Sequence, residues 1–477
     1  MELARPIDRK YLIITGVLVL SGFVLGMAAA KLPLLLTSIL ALVIAGVALV
    51  IFCIINPMIG FCFALVIPFV GFELQRFVKA DLPVGLIAQG IFLLLLIVLL
   101  FKKKVAGNSG FGYLSNPIMY VSILIQIHLI VQGLNPDLDS LQGWWIIMRG
   151  SFAILLVYIV TLLLYDGTRF LKTFIGFWIV LATISALYAC YQEWISMPSY
   201  VINWVHATTE RFRLIYIMSD YRKFSLLSDP AAFGIFMCSS SLITIILAFR
   251  PTKRSYRALL LGASLFMILA MAYSGTRTAY AMFVAGLIMF LFMTINNKRT
   301  LIFSAVAIFA VFVLLFGPIY GNATINRIRS TFNSEDASLN VRDRNRATIQ
   351  EYIYSHPMGG GVMTTGDAGM KYNPNHRLAG FPPDSGYLKI VLETGWTGLF
   401  LAVLFFYVCL RQGIKNFYHT QDENIRYYYL AITAMVFSIS IGSYAQSVHT
   451  QVPIMLFFYP SVALLTRISY SELIPQK

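Results

Sequence analysis

The chain has 477 residues, 58% of them hydrophobic and only 12% charged, with a mean hydropathy of +0.76. A soluble protein carries about twice that share of charge, so a soluble enzyme is excluded, and apolar runs recurring from end to end leave no room for a second soluble domain. The net charge of +15 has no soluble basic domain behind it, and nucleic acid is not an expected partner.

In chain order, apolar runs stand at 11–30, 33–54, 57–73, 84–101, 117–134, 147–165, 172–192, 230–249, 258–273, 278–295, 300–317, 385–410, 428–446 and 453–468. Runs of about 20 residues are long enough to cross a hydrocarbon core as helices. A closed β-barrel would show short alternating segments instead. The sequence therefore predicts an all-α polytopic integral membrane protein, one membrane domain over 1–477, with about fourteen transmembrane helices. The first run has a basic flank and ends in Ala28-Ala29-Ala30. It is longer than a signal-peptide core, so a retained helix is expected.

Orientation follows from the short basic loops. Arg5, Arg9 and Lys10 precede the first run, and Lys102, Lys103 and Lys104 follow the fourth. Arg250, Lys253, Arg254 and Arg257 follow the eighth, Lys298 and Arg299 the tenth, and Arg411 and Lys415 the twelfth. With fourteen spans all of these fall on the cytoplasmic side, as do both termini. The expected location is a bacterial inner membrane, with membrane lipids as surroundings. Two longer loops then face outward: 193–229, and a large extracytoplasmic loop at 318–384 that carries short helices. A connection as long as the second is a functional candidate.

Many arginines fall on that outer side: Arg211, Arg213, Arg222, Arg277, Arg327, Arg329, Arg342, Arg344, Arg346 and Arg377. Outward arginines suit an anionic ligand, phosphate above all. The loop 318–384 also holds six acids against seven bases, so a solvated loop of mixed charge is the competing reading. The five cysteines lie in or beside predicted helices without metal-ligand spacing, and read as small core hydrophobes. Neither a metal nor a cofactor is expected.

Three segments carry residues fit for chemistry. Ser274-Gly275-Thr276-Arg277 lies between the ninth and tenth runs at the outer boundary. An arginine there meets an anion or snorkels. The stretch from Ser338 to Pro357 reads as an amphipathic helix, with Asn340 and Asp343 as a capping pair. Arg342, Arg346, Ile349 and Ile353 share one stripe of it, which would let the isoleucines dip into the bilayer surface. Asp384-Ser385-Gly386-Tyr387-Leu388 enters the twelfth run. Asp384 there is an N-cap or a functional carboxylate. Glu393, further in, is expected to face protein or a cavity. Gly395 and Gly398 have the spacing of close helix packing. His376 and His356 are loop histidines without a paired ligand.

Together these pieces resemble the O-antigen ligase and O-antigen polymerase superfamily of bacterial membrane glycosyltransferases. Ser274 to Arg277 followed by an apolar span resembles the family's Ser/Thr-Arg motif. Asn340-Val341-Arg342, the helix after it and His356-Pro357 to Gly361 resemble its arginine, helix and Pro-x-x-Gly loop. Asp384 to Leu388 with Glu393 to Gly398 resembles the loop's exit into the next helix, and Tyr221-Arg222 through Asp229-Pro230 to Phe233 an upstream segment. The resemblance covers about the C-terminal half.

It implies a glycan donor linked to undecaprenyl pyrophosphate, with a glycan or lipid hydroxyl as acceptor, reacting on the periplasmic face. Arg277 and Arg342, with Arg346 and Arg222, are then the expected pyrophosphate-binding residues. Asp384 is the expected base, with His376 as the alternative. Ligases of the family carry a histidine where Asp384 stands, and an Asp-Ser start is familiar in the polymerase branch. The expected activity is polymerisation of surface-polysaccharide repeat units (O-antigen, exopolysaccharide or capsule). The alternatives are a ligase passing glycan to lipid A core and, more distantly, a transporter or lipid-linked sugar flippase.

Overall fold

The computed structural model describes residues 34–79, 82–105, 111–217, 220–316 and 337–473, with the single positions 16 and 329. The protein is an all-α polytopic membrane protein. Among the described residues the only sheet is a two-residue hairpin, β1 (Tyr216–Ile217) with β2 (Asp220–Tyr221).

Helices occupy every predicted span from the second onward; the first, 11–30, lies outside the described residues but for position 16. They are α1 (Leu34–Ile55), α2 (Pro57–Val78), α3 (Val84–Val105), α4 (Pro117–Gln132), α5 (Leu141–Leu164) and α6 (Thr168–Trp194). Two short helices, α7 (Ser199–His206) and α8 (Thr209–Ile215), fill the first predicted outer loop with the hairpin. Then come α9 (Pro230–Ala248), α10 (Arg254–Ser274), α11 (Arg277–Met293) and α12 (Lys298–Phe316). The large predicted loop holds α13 (Ala337–Ser355) and α14 (Gly366–Tyr372). Last are α15 (Gly386–His419), α16 (Glu423–Gly442) and α17 (Ile454–Leu473). Eight of the described helices are long and apolar enough to cross a membrane; α4, α11 and parts of α1 and α17 are shorter apolar helices.

Local chemistry sets several helix starts. Asn56-Pro57, Asn116-Pro117 and Asp229-Pro230 each pair a capping side chain with a proline at the first helical position. The cap oxygen accepts a first-turn N–H, and the proline's missing N–H costs nothing there. The central helix is α9, buried along almost its whole length. It packs against α6, α10, α11 and α16, and to a smaller extent α17. A helix apolar on all sides belongs in such a core. Two of its buried hydroxyls, Ser240 and Thr244, donate to the carbonyls one turn back, and Trp178 Nε1 donates to Ser240 Oγ at 2.8 Å. The peripheral helices leave Phe63, Leu93, Val180, Phe292, Phe309 and Phe400 exposed. An outer surface of that kind fits lipid rather than water as solvent. The cysteines at 53, 190, 238 and 409 are buried and free.

The twelfth predicted span is not one continuous helix. Gly395 has φ 70° and ψ −169°, so α15 breaks into 386–394 and 396–419. An unbroken helix would bond the Trp396 N–H to the Leu392 carbonyl. Instead Trp396 N–H donates to the Pro357 carbonyl at 3.0 Å, and the Leu392 carbonyl accepts from Gly360 N–H at 2.8 Å. The segment 357–360 is thus inserted into the break, supplying one acceptor and one donor. Side chains from α4 complete the set: His128 Nε2 donates to the Thr394 carbonyl at 3.1 Å and Gln132 Nε2 to the Met358 carbonyl at 2.9 Å. Asn135 Nδ2 donates to the Gly359 carbonyl at 3.0 Å. Gly395 is therefore a backbone break, not the packing glycine of its spacing; Gly398 is the position that keeps space for Thr394 and His128.

A Cβ on Gly395 would lie 2.2 Å from the Pro357 carbonyl oxygen, and its φ/ψ region is open essentially to glycine alone. Gly395→Ala is expected to lower stability by about 3 kcal/mol or more. Gly176→Ala, whose Cβ would meet nothing within 4 Å, is expected to be neutral. Thermal midpoints of both proteins purified in detergent test this; equal midpoints would refute the account of the break.

Candidate functional site

The first part of the site is the turn between α10 and α11. Gly275, with φ 57°, ends α10 in the left-handed conformation. Thr276 turns its hydroxyl away from the helix it precedes and donates to the Pro230 carbonyl at 2.7 Å. Ser274 Oγ lies 3.1 Å from Thr276 Oγ1. A Cβ on Gly234 would clash with both side chains, so glycine there lets the turn sit directly on α9. Arg277 is the first residue of α11, whose first-turn N–H groups receive no side-chain cap. A helix start and an arginine at one point both favour an anion.

Arg222 grips that turn. Its Nε donates to the Ser274 carbonyl at 2.8 Å, Nη2 to Thr276 Oγ1 at 3.0 Å and Nη1 to the Leu214 carbonyl at 3.1 Å. Next to it, Lys223 N–H donates to the Tyr273 carbonyl, and its ammonium meets Glu193 at 2.9 Å and Asp220 at 3.1 Å. Behind this segment lies Arg76, at the end of α2 and 1% exposed. It pairs with Glu73 at 2.5 Å and donates to the Ser225 carbonyl at 2.8 Å. Its guanidinium stands 4.5 Å from the centre of the Phe224 ring. Glu73 also accepts from the hydroxyls of Tyr188 and Tyr200. Arg76 is not among the sequence-predicted site residues; its signal in the sequence is an arginine three residues after Glu73, at the end of an apolar run.

The second part is built on α13. Its helix begins at Ala337, ahead of the Asn340–Asp343 pair expected to cap it. Ile349 is buried with Tyr352, Leu378 and Leu392, and Ile353 packs beside them. That stripe docks on protein, not on the bilayer surface. The docking directs Asn345 to Asp384, Nδ2 to Oδ2 at 3.1 Å. Arg346 stacks on Tyr444, 4.5 Å from ring centre to guanidinium, and donates to its hydroxyl. Arg342 lies in the same helix; its side chain falls outside the described residues. The cap of α15 is Ser385, whose hydroxyl accepts from Leu388 N–H, so Asp384 is not committed to capping. Glu393 is buried and accepts from Thr365 Oγ1.

His376 belongs to a different corner. Its Nδ1 accepts from Leu378 N–H at 3.1 Å, so the neutral ring carries its proton on Nε2. It neighbours Tyr352 and Gly360, and among the described residues no hydrogen bond joins it to Asp384. Burial lowers its pKa below the ordinary histidine range, aided by His356 and opposed by Asp137 and Asp139.

The two parts share one end of the bundle through α16. Ser438 Oγ donates to the Met282 carbonyl of α11 at 2.8 Å, and Gly442 leaves space for Met282. Tyr444, two residues beyond α16, is the partner of Arg346. Tyr387 OH donates to the Ser440 carbonyl, fixing the start of α15 to the same helix. At the end formed by the predicted outer ends of the spans, the first part thus holds Arg277, Arg222, and Arg76 and Lys223 paired with acids, and the second holds Arg346 and Asp384.

Residues 262–403 match the family model described as O-antigen ligase. The match takes in Arg277, α13, Asp384 and the break at Gly395; Arg76, Arg222 and Tyr444 lie outside it. No curated protein matches the chain.

Two outcomes are expected here. Arg76→Met leaves Glu73 without its counter-charge and should destabilise by about 3 kcal/mol, with much of this recovered by adding Glu73→Gln; detergent-phase melting midpoints of the single and double variants check it, and a single variant equal to wild type would refute it. For His376 the folded value lies below the unfolded one. Between the two the unfolded chain binds more protons, so stability falls as pH falls below about 6.5. His376→Asn should flatten the melting midpoint against pH between 7 and 5, and an unchanged slope would refute that assignment.

Proposed function

From an O-antigen ligase-family segment at 262–403, we propose that this chain moves glycan from an undecaprenyl-pyrophosphate-linked donor to an acceptor hydroxyl, on the periplasmic face of the inner membrane, and that it polymerises surface-polysaccharide repeat units. The general class is glycan transfer of the O-antigen ligase/polymerase type by a multi-pass membrane enzyme. The observation that carries the finer reading is Asp384: Ser385 takes the capping duty, and Asn345 holds the Asp384 carboxylate beside the arginine helix.

In this reading the acceptor hydroxyl gives its proton to Asp384 as its oxygen bonds to the anomeric carbon. The bond from that carbon to the pyrophosphate oxygen breaks, and the electron pair leaves on the pyrophosphate. That group needs charge stabilisation more than a proton, and arginines supply it. Arg277 and Arg342 are the proposed ligands, with Arg346 beside them. Arg222 acts on the phosphates through the turn it braces, because its guanidinium is engaged with Ser274, Thr276 and Leu214. His376, a donor through Nε2 in its neutral form, is the second candidate for proton transfer.

A ligase is the second reading, favoured by the description of the matched family itself. Complementation of a deletion strain by Arg277→Ala, Arg342→Ala and Asp384→Ala, with membrane levels of each protein measured, separates the two. Each variant is expected to insert normally and to lower transfer by about a hundredfold or more. Single repeats left on the carrier lipid support the polymerase; full-length polymer accumulating there makes the chain a ligase. Wild-type behaviour of all three would overturn the site.

A further inference from the structure

At the opposite end of the bundle, a cleft of about 300 Å³ opens between the starts of α6 and α16 and the end of α9. This is the end that the basic loops place in the cytoplasm. Thr168, Lys172, Arg250, Asp422, Asn424 and Tyr428 line it. Two of these are cations. Arg250 is held at the mouth of the cleft by Tyr428: its Nη1 donates to the Tyr428 hydroxyl at 2.6 Å, and its guanidinium lies 5.4 Å from the Tyr256 ring centre. Its Nε is buried and has no hydrogen-bond partner. Lys172 makes no hydrogen bond or ion pair among the described residues.

The one acid in the lining does not neutralise this pair by contact. Asp422 turns its Oδ1 to the N–H groups of Asn424 and Ile425, capping α16. The start of α6 differs. Its cap position is Gly167, which offers no side-chain acceptor, so the first N–H groups of a helix of 27 residues are left without one. The Arg250 guanidinium, the Lys172 ammonium and an uncapped helix start thus border one concave space. Each gains from an oxyanion, and phosphate oxygens accept from all three donor types.

We propose that this cleft binds a phosphate group. It lies where a headgroup of the inner leaflet can reach it, and basic pockets between transmembrane helices on that side hold anionic headgroups. The site is independent of the glycan-transfer site at the other end of the bundle.

The test uses the full chain purified in detergent, with the melting midpoint as readout. Titrants are short-chain phosphatidylglycerol, short-chain phosphatidylcholine and inorganic phosphate, each against wild type, Lys172→Gln and Arg250→Gln. Phosphatidylglycerol is expected to raise the wild-type midpoint. Its apparent affinity should fall about tenfold in Lys172→Gln, the loss of one charge-assisted hydrogen bond. Lys172→Gln breaks no hydrogen bond or ion pair among the described residues, so its midpoint without lipid should match wild type; this keeps the test valid if Arg250→Gln, which loses the Tyr428 bond, folds poorly. A shift with phosphatidylglycerol but not with inorganic phosphate makes the ligand a membrane lipid; a shift with inorganic phosphate alone supports the same site with a free anion as its source. Equal shifts with phosphatidylcholine and phosphatidylglycerol, or a Lys172→Gln titration that overlays wild type, would overturn the proposal.

Discussion

Inside hydrocarbon there is no water to satisfy a backbone amide, so an irregular segment of a membrane helix must find its partners in protein. The break in α15 at Gly395 is such a segment, nine residues into the helix and so about 14 Å from its start. Its freed groups are taken by Pro357 and Gly360, while His128 of α4 takes the Thr394 carbonyl and Gln132 and Asn135 hold the inserted loop. This exchange locks the 357–361 loop, the end of α4 and the start of α15 into one unit. The position of α13 follows, because its buried face lies on Leu392 of that unit and on Leu378. The position of Asp384 follows in turn, through the first half of α15 below it and Asn345 above.

A second fixed unit is joined to the first through α11 and α16. Arg222, Thr276, Ser274 and Pro230 tie the turn before Arg277 to the central helix, and Arg76 with Glu73 supports the segment from behind. In the proposed reaction, cations carried on these two supports would meet a doubly charged leaving group already in place. Pre-organised charge requires little rearrangement when negative charge develops, which is the main electrostatic advantage a protein has over water. Arg222 and Arg277, both outward arginines in the sequence, therefore have different duties. One spends its donors on backbone and hydroxyl groups of the protein, and the other begins a helix whose first N–H groups no side chain caps.

The polar groups at the two ends of the bundle contrast in kind. The end bearing Arg277 and Asp384 is built from short helices, a hairpin and an inserted loop, which bring residues far apart in sequence together. The opposite end has short connections and basic residues, and its cleft arises only from the way α6, α9 and α16 end side by side.

The sequence by itself determined the class and the order of parts. Long apolar runs dictate helices across a bilayer because hydrophobicity and length are local properties, and from the second run onward the described helices stand where those runs stand. Asn-Pro and Asp-Pro starts are equally local. The SGTR turn, the arginine helix and the Asp-Ser entry were visible as motifs for the same reason. What the tertiary structure alone decided was how they meet. Pro357–Gly361 and Glu393–Gly398 read as two motifs, and they are two halves of one hydrogen-bonded break. Ser385, not Asp384, caps α15, a choice of one residue that depends on backbone angles. Ile349 and Ile353 look like a membrane-facing stripe, because an apolar stripe does not say whether lipid or protein covers it; Leu378 and Leu392 do. Arg76 showed in the sequence only as an arginine three residues after Glu73; the rest of its setting, Ser225, Phe224 and Tyr200, comes to it only when the chain is folded.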